Sequence, residues 1–337
     1  MRNTVILLVG LLGFSTVCAE EPGRFEFEEP HMGTKFRIVL YAKDRATADA
    51  AAKESFARVA ELNRVMSDYL ADSELSKLCA KSTKALAGPV KVSDDLFPVL
   101  AKANEVSALS DGSFDVTIGP VVKLWRQARK DRRLPDEDVL KEALSRVGYR
   151  KMEVDPKAKT VNLTVAGMQL DLGGIAKGHA ADECLKIIAK HGITQALVAA
   201  SGDIAVSDAP PGKPGWKVAI GRLPGSTAET KYVWLKNAAI STSGDEVQFV
   251  EIAGVRYSHI ADPKTGLGLT GRRSVTVIAR RGIEADSLTK MASILPADKV
   301  LPVIDKIDGA ATLIVVLTEK GEDVRESKGF GKWVVKE

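Results

Sequence analysis

Hydrophobic and polar positions in the first third of the chain predict a strand followed by a long helix. Phe36, Ile38 and Leu40 recur at every second position of residues 34–42, which is typical of a half-buried strand. Residues 45–66 instead repeat their apolar positions every three or four residues, and this spacing predicts an amphipathic helix.

The rest of the pattern predicts more helices and then mostly strands. Further helices are predicted from Ser93 through Val106, from Pro135 to near Gly148, through Leu185 and Ile188 after a glycine-rich turn, and over residues 283–295 and 299–307. Strands are predicted over residues 151–155, 160–164, 168–172, 196–200, 216–220, 232–235, 239–242, 247–252, 255–259, 274–279, 311–317 and 332–335. Because helices and strands do not alternate strictly, the fold class is α+β.

The first residues have the pattern of a secretory signal peptide. Arg2 precedes an apolar run over residues 5–17, which is shorter than the ~20 helical residues that span a bilayer. Small residues before Glu20 predict cleavage after Ala19. We therefore expect a signal peptide over residues 1–19, one domain over residues 20–337, and an exported, periplasmic protein. A lipid anchor through Cys18 is the alternative, and it is the case in which the protein itself would associate with the membrane.

Composition narrows the function classes. The net charge is +4 and aromatic residues make up 5% of the chain, without a long basic run, so there is no nucleic-acid footprint. Once the signal peptide is removed, Cys79 and Cys184 are the only thiols. One disulfide between them is possible, but no cysteine motif for a metal or for redox chemistry exists.

The glycine-rich segment Asp171-Leu-Gly-Gly-Ile-Ala-Lys-Gly178 is a candidate anion site. Its glycines allow close approach of a ligand to the backbone, and the following helix N-terminus and Lys177 both favour an anion. His179 stands where a Walker loop needs lysine, and no G-x-G-x-x-G follows a strand here, so both common nucleotide fingerprints are excluded. An ordinary turn between a strand and a helix, with a solvated lysine, is the alternative.

Four further polar and glycine-rich clusters lie at predicted element ends. They are Met66-Ser-Asp-Tyr69 with Asp72-Ser-Glu74, Asp111-Gly-Ser-Phe-Asp-Val-Thr-Ile-Gly-Pro120, Ser241-Thr-Ser-Gly-Asp245 and His259-Ile-Ala-Asp-Pro-Lys-Thr-Gly266. In this order, with Met32-Gly-Thr34 before them and Ala285-Asp286 after them, they closely resemble the ApbE-type flavin transferases, which modify proteins with FMN taken from FAD. The resemblance covers nearly the whole mature chain, and it implies an ApbE-like fold of mixed, largely antiparallel sheets with packed helices.

The resemblance implies a set of site residues. The residues expected to contact FAD are Met32, Tyr69, Ser113, Phe114, Asp115, Asp171, Lys177, His259 and Ile260. The expected ligands of Mg²⁺ are Gly174, Asp286 and Thr289. The resemblance also implies an acceptor Ser or Thr on a partner protein, expected to be a respiratory electron-transfer protein. Two other functions stay open, namely hydrolysis of FAD to FMN and AMP, and FAD binding without catalysis.

His259 is the candidate general base. Attack of a hydroxyl on the FMN-side phosphorus requires alignment, charge neutralisation and a proton acceptor, and an unperturbed histidine with a pKa of ~6.5 suits that last role. A strand-end histidine that hydrogen-bonds to Asp262 is the alternative.

The sequence departs from the family pattern at two positions. Lys290 stands where relatives usually have a threonine ligand for Mg²⁺, and a protonated lysine cannot be a ligand. Either Asp286 and Thr289 still bind Mg²⁺ with the Gly174 carbonyl and water, or the Lys290 ammonium partly replaces the cation. The second departure is Ser201, which replaces the first of two glycines.

Overall fold

The computed structural model describes residues 21–82, 88–223, 225–226, 229–244 and 249–336. The predicted signal peptide, with Cys18, and residue Asp245 of one cluster lie outside these residues. Within them the helices are α1 (Arg45–Met66), α2 (Glu74–Lys81), α3 (Phe97–Leu109), α4 (Gly119–Asp131), α5 (Glu137–Ser145), α6 (Ala176–Lys190), α7 (Gly282–Ile294) and α8 (Ala297–Ile304). The strands are β1 (Gly23–His31), β2 (Thr34–Ala42), β3 (Val90–Lys91), β4 (Met152–Asp155), β5 (Thr160–Leu163), β6 (Ala196–Ala200), β7 (Asp203–Val206), β8 (Trp216–Ala219), β9 (Tyr232–Leu235), β10 (Ala238–Gly244), β11 (Phe249–Ile252), β12 (Val255–Ala261), β13 (Gly268–Thr270), β14 (Arg272–Ala279), β15 (Ala311–Thr318) and β16 (Gly321–Glu326).

An antiparallel sheet of eight strands organises the fold. Its order is β1-β2-β6-β7-β10-β14-β15-β16, and smaller sheets are formed by β11-β12-β13, by β3-β5-β4 and by β8-β9. Helices and largely antiparallel sheets are thus packed together, and the predicted α+β class is confirmed.

The large sheet is covered on both faces. Phe36, Ile38 and Leu40 of β2 point into the main core, which α1, α3, α6 and α7 complete. Val39 points to the opposite face, into a second core that contains Trp216 of β8. The strand is therefore buried on both sides around Val39, although its alternating pattern predicted one buried face, and Lys35 and Arg37 on the face of Val39 are exposed.

Two predicted strands are wrong. Residues 168–172 run extended but make a single parallel bridge, between Gln169 and Ile118. Met168, Leu170 and Leu172 are buried in the main core, so their alternation reflects packing of an extended segment and not a place in a sheet. Residues 332–335 follow a short 3₁₀ helix (Phe330–Lys332), and Val334 makes only an isolated bridge to Val233.

The predicted strand over residues 247–252 begins outside the described residues, and its described part is β11. Seven described elements were not predicted from the pattern, namely the helices α2 and α4 and the strands β1, β3, β7, β13 and β16.

Helices α6 and α7 cross at unusually close range. A Cβ atom on Gly178 would lie 2.0 Å from the carbonyl oxygen of Gly282, and one on Gly282 would lie 2.3 Å from the carbonyl oxygen of Gly178. The carboxylate of Asp182 accepts hydrogen bonds from the backbone N–H groups of Gly282 (2.6 Å) and Ile283 (3.0 Å). It satisfies two donors at the start of α7 that have no partner within the helix. This crossing fixes α7 against the glycine-rich segment.

The thiols of Cys79 and Cys184 do not form a disulfide. The Cys184 thiol donates to the carbonyl of Ser55, and the Cys79 sulfur accepts from the N–H of Leu170. No helix among the described residues is long and apolar enough to cross a membrane.

We expect Gly178→Ala to weaken the crossing of α6 and α7. The added methyl group cannot fit 2.0 Å from a backbone oxygen, so the helices must separate. The free energy of unfolding, measured by urea denaturation, should fall by at least about 1–3 kcal/mol. Gly331→Ala is the control, since a Cβ there meets nothing within 4 Å. Equal unfolding midpoints for the two variants would contradict this account.

Asp182 should make stability depend on pH. Burial raises its pKa from 3.8 to about 6, although the two N–H groups favour the charged form. Between pH 4 and pH 6, Asp182 is therefore protonated in the folded protein and ionised in the unfolded chain. The contribution of Asp182 to the free energy of unfolding is complete below about pH 4 and is lost as the pH rises through about 6. This loss lowers the free energy of unfolding by roughly 3 kcal/mol.

Asp182→Asn cannot ionise, so its free energy of unfolding should fall less than that of the native protein between pH 4 and 7. Denaturation curves at several pH values measure this difference. Parallel pH profiles for the two proteins would mean that Asp182 does not titrate in this window.

Candidate functional site

A cleft opens at one end of the strands of the large sheet. Its volume of about 1040 Å³ is at the top of the size range of small-molecule sites. Its walls come from the glycine-rich segment, α4, the β6–β7 turn and β12. The predicted FAD contacts that line it are Met32, Tyr69, Ser113, Phe114, Asp115, Asp171, Lys177, His259 and Ile260, and Gly174 lines it as well. Residues that are far apart in the sequence, from Met32 to Ile260, thus meet in one place. Their roles toward a ligand stay predictions.

Arg126 ties the glycine-rich segment to the helix end that carries Tyr69. Its guanidinium donates to Asp68 at 2.5 Å and to Asp171 at 2.8 Å, and lies 4.1 Å from the centre of the Tyr69 ring. Burial, together with repulsion from Asp68, raises the pKa of Asp171 above its usual value. The Tyr69 side chain is 75% exposed, so one face of its ring is available beside the cleft.

Lys177 forms a buried ion pair with Asp203. The Lys177 ammonium donates to Asp203, whose other oxygen accepts from the Ser241 hydroxyl at 2.6 Å. Burial alone would lower the pKa of Lys177, but attraction to Asp203 and Asp286 outweighs it and the pKa is raised. Burial likewise opposes the charge on Asp203, and the two ammonium groups of Lys177 and Lys290 reverse this, so that its pKa is lowered. Lys177 is therefore a cation at the cleft floor, held at the start of α6.

Asp286 and Thr289 lie behind the cleft and not on its surface. Both are fully buried on α7, and neither lines the cavity, whereas Lys290 does. One oxygen of Asp286 accepts from the N–H of Gly178 at 3.2 Å, and the other accepts no hydrogen bond from the described residues. Burial and repulsion from Asp203 raise the pKa of Asp286.

Lys290 contacts both residues between which Mg²⁺ is expected. Its ammonium lies 3.5 Å from the unbonded oxygen of Asp286 and donates to the Ser243 hydroxyl at 2.5 Å. Its Cγ lies 2.8 Å from the position that a Cβ on Gly174 would take. The Thr289 hydroxyl donates to the carbonyl of Ala285 at 2.6 Å. Within the part of the chain that the structure describes, no group of three or more His, Cys, Asp or Glu residues could hold a metal ion. This arrangement fits an ammonium beside Asp286 and does not fit a divalent cation next to it.

The Ser113-Phe114-Asp115 turn has a strong structural role. The Asp115 carboxylate accepts from the N–H (2.8 Å) and the hydroxyl (2.6 Å) of Thr117, and burial raises its pKa. Phe114 is 5% exposed, packs in the main core and faces the cleft near Gly174. The ring is thus both part of the core and part of the cleft wall.

Trp125 holds the strand that carries His259. Its indole N–H donates to the carbonyl of Ser258 at 3.1 Å, and its ring meets Tyr257 edge-on at 5.5 Å. A Cβ on Gly268 would lie 2.4 Å from both the Ser258 carbonyl oxygen and the Trp125 ring, so only glycine fits there. These contacts set the position of His259, which is half-buried at the cleft wall.

Ser201 occupies a backbone conformation that favours glycine. It lies in the β6–β7 turn with a φ of 60°, and it lines the cleft. The substitution therefore costs backbone strain, of order 1–3 kcal/mol for such residues, and places a hydroxyl at the cleft wall.

Sequence reasoning missed Arg126 because it missed α4. The available signals were Pro120 in the first turn, which suits a helix N-terminus, and the helical spacing of Val121, Trp125 and Ala128. Sequence reasoning also missed the role of Asp203, because its pairing with Lys177 depends on tertiary contacts.

Comparison with known proteins gives a consistent result. A sequence model described as the ApbE family matches residues 32–314. The FAD:protein FMN transferase of Treponema pallidum (strain Nichols) is 33% identical over 316 residues, which cover 89% of this chain and 85% of that protein. The FAD:protein FMN transferase of Haemophilus influenzae (strain Rd) is 30% identical over 338 residues, which cover 97% of this chain and 96% of that protein. The structure of the flavin transferase ApbE from Vibrio cholerae superimposes with a TM-score of 0.83 at 27% identity, covering 93% of this chain and 99% of that one.

We expect Lys177→Met to destabilise the protein strongly. The variant leaves the buried carboxylate of Asp203 without its cation, and breaking such a pair costs about 3–5 kcal/mol in the free energy of unfolding. The double variant Lys177→Met/Asp203→Asn should recover part of this loss. Lys186→Met, on the same helix, is the control, because the Lys186 ammonium is exposed and its partner Glu183 keeps a hydrogen bond from Arg58, so the loss should be less than about 1 kcal/mol. Equal losses for both single variants would refute a special role for the buried pair.

Proposed function

The chain belongs to the ApbE family and is a transferase, an FAD:protein FMN transferase, and we propose that its substrate FAD binds in the cleft lined by Lys177, Asp171 and His259. The observation that carries this proposal is the meeting of all the predicted FAD contacts in one cleft of sufficient size. The Ser113-Phe114-Asp115 turn, the glycine-rich segment and β12 contribute from three separate parts of the chain.

The transfer joins FMN to a protein hydroxyl. The oxygen of an acceptor Ser or Thr forms a bond to the FMN-side phosphorus of FAD, the bond from that phosphorus to the bridging oxygen breaks, and AMP leaves with that oxygen. Little covalent chemistry falls to the protein, so positioning and charge neutralisation carry most of the catalysis. Lys177 lies in the first turn of α6 and lines the cleft. Both its positive charge and the N-terminus of the helix favour binding of the negatively charged pyrophosphate.

His259 is proposed to take the proton of the acceptor hydroxyl. The side chain lines the cleft, and the hydrogen bond from Trp125 to Ser258 fixes the strand that carries it. A general base of this kind contributes typically 10²–10⁴-fold to the rate. Because the site residues do not fit a divalent cation, no step is assigned to Mg²⁺.

The acceptor and the compartment are further proposals. The signal-peptide pattern of residues 1–19 supports export to the periplasm, and a membrane anchor would require lipidation at Cys18. The acceptor is proposed to be a protein with an accessible Ser or Thr, with respiratory electron-transfer proteins as the class to test first.

One experiment separates transfer from its two alternatives. The protein is incubated with FAD and a candidate acceptor, and the acceptor is then examined for flavin fluorescence that survives denaturation. Labelled acceptor supports the proposal. Released FMN and AMP without label indicates hydrolysis, and FAD binding without either product indicates a binding protein.

His259→Ala should lower the rate of transfer by about 10²–10⁴-fold while FAD binding, followed by isothermal titration, stays within a few-fold of the native value. The control is His191→Ala, because His191 pairs with Glu54 at 2.7 Å and does not line the cleft. A His259→Ala variant that transfers FMN at the native rate would remove His259 from the mechanism.

A further inference from the structure

A buried carboxyl group directly behind the cleft, that of Asp286, requires a cation next to it. One oxygen of Asp286 is buried and accepts no hydrogen bond from the described residues, which is costly for a polar atom. The nearest cation is the ammonium of Lys290, one helical turn further along α7 and 3.5 Å away. This ammonium also donates to Ser243, and the Lys290 side chain lines the cleft while Asp286 does not.

We propose that Lys290 is a tethered cation, whose ammonium takes the place beside Asp286 that a divalent metal ion would fill and supplies its positive charge to the pyrophosphate of FAD. The inference rests on the proposed site of FAD in this cleft. It makes Lys290 a residue of the reaction and makes a bound divalent ion unnecessary.

Electrostatic repulsion keeps a divalent ion away from this position. Mg²⁺ lies about 2.0–2.1 Å from its oxygen ligands, so an ion on the unbonded oxygen of Asp286 would lie within about 6 Å of the Lys290 ammonium. The low dielectric of a buried site strengthens the repulsion between the two positive charges. The ammonium of Lys177, which also interacts electrostatically with Asp286, is a second positive charge that would repel the ion.

The stem of Lys290 also occupies space that the ion would need. Its Cγ lies 2.8 Å from the position of a Cβ on Gly174, so the side chain lies directly over that glycine. The backbone of Gly174 and the carboxyl group of Asp286 are the two sides of the expected metal position, and the Lys290 side chain contacts both. Shortening this side chain opens that space and removes the charge at once.

The ammonium of Lys290 can reach a ligand in the cleft. A lysine ammonium is a compact point charge on a flexible stem and is a common phosphate binder. The Lys290 side chain is 17% exposed, and it lies on the same floor as Lys177. Two lysines then face the pyrophosphate, each beside a carboxyl group, that of Asp203 in the lining of the cleft and that of Asp286 behind it.

Binding of Mn²⁺ tests the proposal without depending on flavin transfer. Electron paramagnetic resonance measures free Mn²⁺ in titrations of the native protein, Lys290→Thr and Lys290→Met, each without FAD. We expect no tight site in the native protein and one in Lys290→Thr that binds at least ten-fold more tightly. Lys290→Met removes the charge but keeps the length of the side chain and adds no oxygen ligand, so it should bind Mn²⁺ less tightly than Lys290→Thr.

Lys299→Thr is the matched control, because Lys299 is exposed on α8 and does not line the cleft. It should behave as the native protein in every titration. A native protein that binds Mn²⁺ as tightly as Lys290→Thr would overturn the proposal. Absence of binding from both would overturn it as well, because Lys290 would then not be what excludes the ion.

Transfer assays give the second measurement. The native rate should change less than two-fold on addition of a chelator, whereas Lys290→Thr should lose at least 100-fold in chelator and regain activity with Mg²⁺. Native activity that disappears in chelator and returns with Mg²⁺ would overturn the proposal. If no flavin is transferred by any variant, the proposed function fails, while the Mn²⁺ titrations still decide the role of Lys290.

Discussion

The close crossing of α6 and α7 at Gly178 and Gly282 is the constraint on which the cleft floor depends. Lys177 stands at the start of one helix, and Asp286 and Lys290 stand on the other. With side chains larger than hydrogen at the crossing, the two helices would have to separate, and the hydrogen bond from the N–H of Gly178 to Asp286 would be lost. Asp182 adds a fixed point, because its carboxylate holds the first N–H groups of α7.

Charge on the floor is arranged around this crossing. Lys177 is paired with Asp203 from β7, and Lys290 lies beside Asp286 and Ser243. Buried charges of this kind are tolerated only with partners, which explains why Ser241 and the N–H of Gly178 contribute hydrogen bonds as well. The floor therefore carries two ammonium groups, with the carboxyl groups of Asp203 and Asp286 next to them.

Sequence reasoning recovered the parts of this design that are local. The Ser113-Phe114-Asp115 turn, the glycine-rich segment and the His259 region were found because turns and helix starts have their own residue signals, and the cleft contains all three. The alternation of residues 168–172 was mistaken for a strand, since an extended segment buried in a core has the same period. Arg126 was missed with its helix. The burial of Asp286 and Thr289 behind Lys290 follows from the packing of α7 on α6, and no local pattern encodes that depth.

The hydrogen bond of Trp125 to Ser258 has a consequence for how the two sides of the cleft are supported. The wall with His259 packs in the small core around Trp125, whereas the floor with Lys177 is attached to the main core. A site whose opposite sides are anchored in different cores can widen or narrow by a rigid shift of one side, with neither core exposed to water. The hydrogen bond from Arg126 of α4 to Asp171 joins these two sides, so it is the contact that such a shift would strain.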